Sequence, residues 1–444
     1  MKTLYLSVLF LFLSACAGIP IESITSNYSD ASLKEDIGQY LTATDPNVEN
    51  EIIDRLNSNN VSHSRIKSLL RQSLDERKGP AGTLLDEKIL IGAKTYSYAI
   101  FVPESKEKSL PMIVILHGMG GSGFNTLPAW VERLQNRFII VCPSYPMGAW
   151  WSPNAEQLVM GLVQKTSSSY PVDMNRVFLA GLSNGAIGAY MIGMFYPDTF
   201  AGIVPIAGSV TPRYMHFLVN LNNTPVYMIQ GEHDPIFPIS LSRRIYQILS
   251  DMKYPVVYRE HKESGNAHGG HFLPEKEVPA LQEWLLAQKR DPNPKTVRMT
   301  REANHMESIH WARFSRGIQL AALQIPGPEK ERVNIKDGKI GTFFATNLGD
   351  NQIEMMGSNI VECELLLNED MVDLDKTIYV SKQSIADQNG KLVTGAKLPA
   401  YHQKATRDLS VLLSGFKKRR DPTLLYDAKI KISWEESTRF ASLP

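Results

Sequence analysis

The feature that most constrains this chain is a series of short strand-like runs, Met112–Leu116, Phe138–Cys142, Val177–Gly181, Ile203–Ile206, Val226–Gln230 and Val256–Tyr258, the first of them continuously apolar. A strand with one face in water alternates apolar and polar residues, whereas a strand buried on both faces is apolar throughout. The intervals between the runs are long enough for crossover helices. Strands joined this way form a mostly parallel, doubly wound α/β sheet. Ahead of the series, Lys88–Ile91 and Tyr96–Val102 read as a strand pair, with Tyr96, Tyr98, Ile100 and Val102 alternating. Behind it, Pro279–Lys289 reads as a closing helix with Leu281, Trp284 and Leu285 on one face.

In open sheets of this kind, ligand crevices form beyond the carboxyl ends of the strands. Four of those ends carry chemistry here. Gly181-Leu182-Ser183-Asn184-Gly185 stands between the strand run Arg176–Ala180 and the small-residue helical run Ala186–Met191. A serine with glycine two positions away on each side, at a strand-to-helix step, has the nucleophile-elbow pattern. The glycines let strand and helix approach, and the serine hydroxyl stands clear beside free helix N–H groups. After Met112–Leu116 comes His117-Gly118-Met119-Gly120-Gly121-Ser122-Gly123. Its backbone can turn N–H groups at Met119 and Gly120 toward the serine, and the N–H of Asn184 completes a site for an oxyanion. His117 reads as a stabiliser of that loop.

The strand at Val226–Gln230 leads into Gly231-Glu232-His233-Asp234-Pro235, and the last strand into Gly265-Asn266-Ala267-His268-Gly269-Gly270-His271. Asp234, with Glu232 as the alternative, is placed to orient an imidazole. His271 is the favoured base, with His268 competing. His268 and His271 as a metal pair lack a third ligand, and nothing in the chain calls for a metal or a cofactor. The pair Trp150-Trp151, after the strand at Phe138–Cys142, reads equally as a substrate-flanking element and as plain packing. Between Gly208 and Val226 there is room for one helix but not for a lid domain, which implies an open site.

Residues of about 87–289 resemble an α/β-hydrolase of the poly(3-hydroxybutyrate) depolymerase, feruloyl esterase and prolyl-oligopeptidase-like group. The resemblance rests on His117-Gly118-Met119-Gly120-Gly121, on Val172–Gly185 with its Asn175-Arg176-Val177 and Gly-Leu-Ser-Asn-Gly, and on Tyr196–Ala201. It departs from that group at Ala186, where a second glycine is usual. The order Ser183, Asp234, His271 is that of α/β-hydrolases. The resemblance implies a serine hydrolase acting on carboxylic esters, polymer- or carbohydrate-linked ones among them. A serine peptidase and a non-catalytic surface binding protein on the same scaffold are the other readings.

The flanks differ in character. Leu4–Leu13 is almost wholly apolar, follows one lysine, and ends at Leu13-Ser14-Ala15-Cys16. That ending resembles a bacterial lipobox, which implies a signal peptide over 1–15, lipidation of Cys16, and anchoring in the cell envelope, at the outer membrane. Residues 16–80 read as a tether and helical segment, 81–290 as the hydrolase unit, and 296–444 as a β-sandwich-like domain. In the last of these, Glu302–Leu323 is expected to be helical in part. Ala405–Phe416 is expected to be a helix whose basic run, Lys417–Arg420, forms a solvated cap. Cys142 and Cys363 read as free thiols. With 47 basic and 46 acidic side chains there is no electrostatic case for a nucleic-acid partner.

Overall fold

The computed structural model describes residues 28–72, 79–264, 269–305, 307–322, 339–388 and 391–434. Cys16 and His268 lie outside the described residues. No helix among the described residues is long and apolar enough to cross a membrane.

The chain begins with α1 (Asp30–Thr42), α2 (Pro46–Ser58) and α3 (His63–Gln72). The first two start where a polar side chain takes an orphan N–H: Ser29 accepts from Ser32, and Asp45, followed by Pro46, accepts from Asn47. Next come β1 (Gly82–Ile91), β2 (Lys94–Val102), β3 (Leu110–Leu116), α4 (Gly123–Leu134), β4 (Ile139–Pro143), α5 (Pro153–Ser169), β5 (Val172–Leu182), α6 (Asn184–Phe195) and β6 (Gly202–Ile206). A run of 3-10 helix, Pro212–Asn223, leads to β7 (Val226–Gly231), α7 (Ile239–Asp251), β8 (Val256–His261) and α8 (Val278–Ala287).

The eight strands form one sheet in the order β1-β2-β4-β3-β5-β6-β7-β8. β2 is antiparallel to both its neighbours; the pairings from β4 through β8 are parallel. The apolar runs between Met112 and Gln230 are buried strands, and their two faces feed two cores; Val256–Tyr258, in the edge strand β8, is only half-buried. Met112, Val114 and Leu116 pack with Leu158, Leu162, Tyr190 and Met194 from α5 and α6. Ile113 and Ile115 pack with Leu127, Trp130, Leu281 and Leu285 from α4 and α8. This is an α/β-hydrolase fold. β3 has β4 on one side and β5 on the other, so the strand order reverses there and opens a crevice past the carboxyl ends of β3 and β5.

Beyond it lie β9 (Thr296–Arg301), β10 (Ser308–Ile309), β11 (Ala312–Gly317), β12 (Gly341–Gly349), β13 (Gln352–Ser358), β14 (Ile360–Leu367), β15 (Ile378–Gln388), β16 (Lys391–Thr394), β17 (Leu398–Gln403), α9 (Leu409–Arg419) and β18 (Ala428–Ser433). They make a four-stranded sheet, β10-β11-β14-β18, and a six-stranded one, β16-β15-β13-β12-β9 with β17 on β15. Side chains from both sheets share one core that includes Trp311, Phe314, Phe343, Met355 and Leu365. The pairing is antiparallel except between β13 and β15.

Two expectations are corrected here. Glu302–Leu323 contains strands where helix was expected. His310 takes a left-handed conformation (φ 48°) at the tight turn joining β10 to β11, and its N–H donates to the Asp198 carboxylate at 2.8 Å. The basic run at the end of α9 is no solvated cap. Lys417 bonds the Ala43 carbonyl and Glu49, Arg420 bonds the Leu41 carbonyl, and Arg419 pairs with Asp198 at 3.2 Å. The helices α1–α3 are packed: Leu33, Ile37, Ile52, Leu56, Ile66 and Leu70 share a core with Leu412, Leu413 and Phe416 of α9. A buried ion pair, Arg290 to Asp421 at 2.7 Å, ties the end of the hydrolase unit to the segment after α9.

Candidate active site

Ser183 follows β5 and precedes the first residue of α6. Its backbone sits at φ 59° and ψ −121°, a region that L residues adopt only under constraint. The constraint is visible in the neighbours. A Cβ at Gly181 would overlap the Gly185 carbonyl, and one at Gly185 would overlap the carbonyl of Leu116 in β3. The Ser183 N–H donates to the Ile206 carbonyl at 3.0 Å. Among the described residues its hydroxyl makes no capping bond. Ala186 is tolerated because residue 208 is glycine: a Cβ there would come within 2.7 Å of the Ala186 methyl.

The loop after β3 passes directly over this serine. A Cβ on Gly118 would lie 3.3 Å from the Ser183 Cβ. His117 is buried (3% exposed) and braces the loop. Its Nδ1 donates to the Gly118 carbonyl at 2.7 Å, while Nε2 accepts from the Tyr145 N–H at 3.1 Å. That pattern needs the neutral ring, and burial lowers the imidazole pKa despite the Gly118 carbonyl. Among the described residues the N–H groups of Met119 and Asn184 have no acceptor, as expected for a loop tip and a first helical residue.

Asp234 and His271 meet at the carboxyl ends of β7 and β8. His271 Nδ1 lies 2.9 Å from Asp234 Oδ2, and the Asp234 side chain is wholly buried. Burial opposes ionisation of this carboxyl. The Phe237 N–H, His271 and the Ile236 N–H outweigh it, so the pKa falls below the ordinary aspartate value. Gly270 makes the meeting possible. It sits at φ 107° with its carbonyl against Gly231, where a Cβ would clash. Glu232 faces Lys262 at 3.8 Å and has no bond to the imidazole, so Asp234 is the partner. Among the described residues no hydrogen bond joins the Ser183 hydroxyl to His271.

Sequence reasoning missed Gln230. Its amide donates to Asp234 Oδ2 at 2.8 Å and its carbonyl oxygen accepts from Ser242 at 3.1 Å, which fixes the carboxylate from behind. A single glutamine closing the apolar run Val226–Ile229 was the available signal.

The reading of Trp150 as a substrate-flanking residue is corrected. The side chain is fully buried, its Nε1 donates to the His117 carbonyl at 2.8 Å, and its ring meets His117 edge-on at 4.9 Å. A ring whose faces and N–H are all engaged has nothing left for a ligand. Trp151 is half-buried and packs against the same core. The surface at this end of the sheet is instead apolar and open. Met119, Phe124, Met147 and Ile236, from the loops after β3, β4 and β7 and the start of α4, are between 55% and 67% exposed.

Residues 151–287 match the profile of a family described as Phospholipase/Carboxylesterase. Poly(3-hydroxyalkanoate) depolymerase C of Paucimonas lemoignei is 29% identical over 123 residues, 24% of this chain and 30% of that protein. Feruloyl esterase B of Thermothelomyces thermophilus is 31% identical over 123 residues, 24% of this chain and 42% of that protein. The chain thus spans well under half the length of these relatives. A thermostable esterase of known structure is 22% identical, with a TM-score of 0.39 over 46% of this chain and 63% of its own.

Proposed function

We propose that this chain is a serine hydrolase that cleaves carboxylic esters through an acyl-enzyme on Ser183. The observation that carries the reading is the Asp234–His271 pair, held at 2.9 Å on the same sheet edge as the strained Ser183. Asp234 fixes the tautomer with the proton on Nδ1, leaving Nε2 to take the Ser183 proton as the hydroxyl attacks the ester carbonyl. The developing oxyanion is received by the N–H groups of Met119 and Gly120, the latter at φ 72°, and by that of Asn184. His271 then protonates the leaving alcohol, and water activated by the same nitrogen releases the acid.

The substrate reading follows from access and surface. Among the described residues the one helical element between β6 and β7 is the 3-10 run Pro212–Asn223, too short for a lid domain. An open site rimmed by exposed Met119, Phe124, Met147 and Ile236 suits an ester presented on a polymer or carbohydrate better than one drawn into a closed cavity. The names of the two relatives, a polyester depolymerase and a feruloyl esterase, agree with this reading. The Leu-Ser-Ala-Cys16 ending supports an envelope-anchored enzyme held by a lipidated Cys16. The test is a panel of p-nitrophenyl esters beside peptide p-nitroanilides, run with the wild type and Ser183→Ala. Ester turnover lost in Ser183→Ala is expected. Turnover of the anilides alone, or none at all by folded protein, contradicts the proposal.

A further inference from the structure

The donors assigned to the oxyanion sit on separate elements: Met119 and Gly120 on the loop after β3, Asn184 at the start of α6. The two elements meet directly where Gly185 lies against the Leu116 carbonyl and Gly118 against the Ser183 Cβ, but the loop tip at Met119 lies beyond those contacts. One short segment, Tyr145–Trp150 after β4, touches both.

Toward the loop it makes three ties. The Tyr145 N–H donates to His117 Nε2 at 3.1 Å, and the Trp150 indole N–H donates to the His117 carbonyl at 2.8 Å. Gly148 lies so close to the Gly118 carbonyl that a Cβ would stand 3.0 Å away. Toward α6 it makes two more. The Asn184 side-chain amide donates to the Met147 carbonyl at 3.1 Å. The Trp150 side chain occupies the space over Gly188, where any Cβ would overlap it. Trp150 alone takes part on both sides, by a buried hydrogen bond to the carbonyl just before Gly118 and by packing on the nucleophile helix.

We propose that Trp150 is a positioning residue for the oxyanion site, setting the separation of the Met119 and Asn184 N–H groups from behind. This rests on the serine-hydrolase reading. The indole never meets substrate; it acts through His117 and α6. Oxyanion donors work only when aimed at the place the charge develops, so a small displacement weakens the transition state and leaves ground-state binding nearly untouched.

The test compares Trp150→Phe, which keeps a ring but removes the N–H, with Trp130→Phe. Trp130 is a similarly buried indole on α4, on the opposite face of the sheet. With p-nitrophenyl butyrate as substrate, Trp150→Phe is expected to lower kcat by about ten- to a hundredfold at unchanged KM. Trp130→Phe is expected to lower Tm without changing kcat. Should Trp150→Phe fail to fold, Trp150→His, which keeps a ring N–H for the His117 carbonyl, is expected to lose kcat in part at an unchanged KM. A Trp150→Phe enzyme with wild-type kcat, or one whose loss appears wholly in KM, overturns the positioning role while leaving the hydrolase reading intact. A wild type without Ser183-dependent ester hydrolysis overturns both.

Discussion

Asp234→Asn isolates the orienting role of the carboxylate, because both of its oxygens face donors. Oδ1 accepts the N–H groups of Ile236 at 2.8 Å and Phe237 at 3.0 Å. Oδ2 accepts from Gln230 at 2.8 Å and faces His271 Nδ1 at 2.9 Å. An asparagine keeps one acceptor, and the two backbone N–H groups claim it. Its NH2 then points at His271 and Gln230. The ring answers by moving its proton to Nε2, so that Nδ1 becomes an acceptor and Nε2 can no longer take the serine proton. A wrong tautomer of this kind costs about ten-thousand-fold in kcat, equivalent to about 5 kcal/mol of transition-state stabilisation. The opposed donors at Gln230 add a stability loss of about 1–3 kcal/mol. The assay is steady-state hydrolysis of p-nitrophenyl butyrate, with urea denaturation on the same preparation. Glu232→Gln, which alters the neighbouring carboxylate, is expected to leave the rate unchanged. A folded Asp234→Asn enzyme retaining near wild-type kcat would refute the reasoning, as would an equal loss in Glu232→Gln.

Two further outcomes concern the contacts that hold the units together. His305 lies between Glu302, at 2.5 Å, and Glu156 of α5, at 3.4 Å, and stacks on Phe195 at 4.1 Å. Burial disfavours its charge, but the two carboxylates outweigh that and raise its pKa to about 9. The stability this contributes, at most about 3 kcal/mol, is full below the unfolded value near 6.5 and is lost as the pH rises through about 9. Urea midpoints for the wild type are therefore expected to fall over that alkaline range, and those of His305→Gln to stay flat; parallel profiles would contradict this. Lys67 of α3 pairs with Asp427 at 2.7 Å, the aspartate being wholly buried. Lys67→Met is expected to cost about 3–5 kcal/mol by leaving a buried charge alone. Adding Asp427→Asn should recover most of it, and a double variant as weak as the single one would show that charge is not the cause.

The hydrolase unit was legible because its signals are local. A strand buried on both faces must be apolar throughout, so Met112–Leu116 and its successors appear directly in the sequence. Close approach at Gly181 and Gly185 demands glycine wherever the elbow occurs. What escaped depended on distant partners. Trp150 looks the same in sequence whether it faces ligand or core, and only the fold brings His117 and Gly188 against it. The run Lys417–Arg420 resembles any basic helix end until Glu49, Leu41 and Asp198 arrive from elsewhere in the chain. In Glu302–Leu323, the left-handed turn at His310 breaks the alternation of Ile309, Trp311 and Phe314, and so hides the strands.

The most direct test of the central claim is to react the protein with a fluorophosphonate and locate the adduct by peptide mass spectrometry. The account expects one phosphonyl group on the Ser183 hydroxyl, absent from Ser183→Ala and greatly slowed in His271→Ala. A folded protein that takes no label, or that carries it on another residue, would contradict the account.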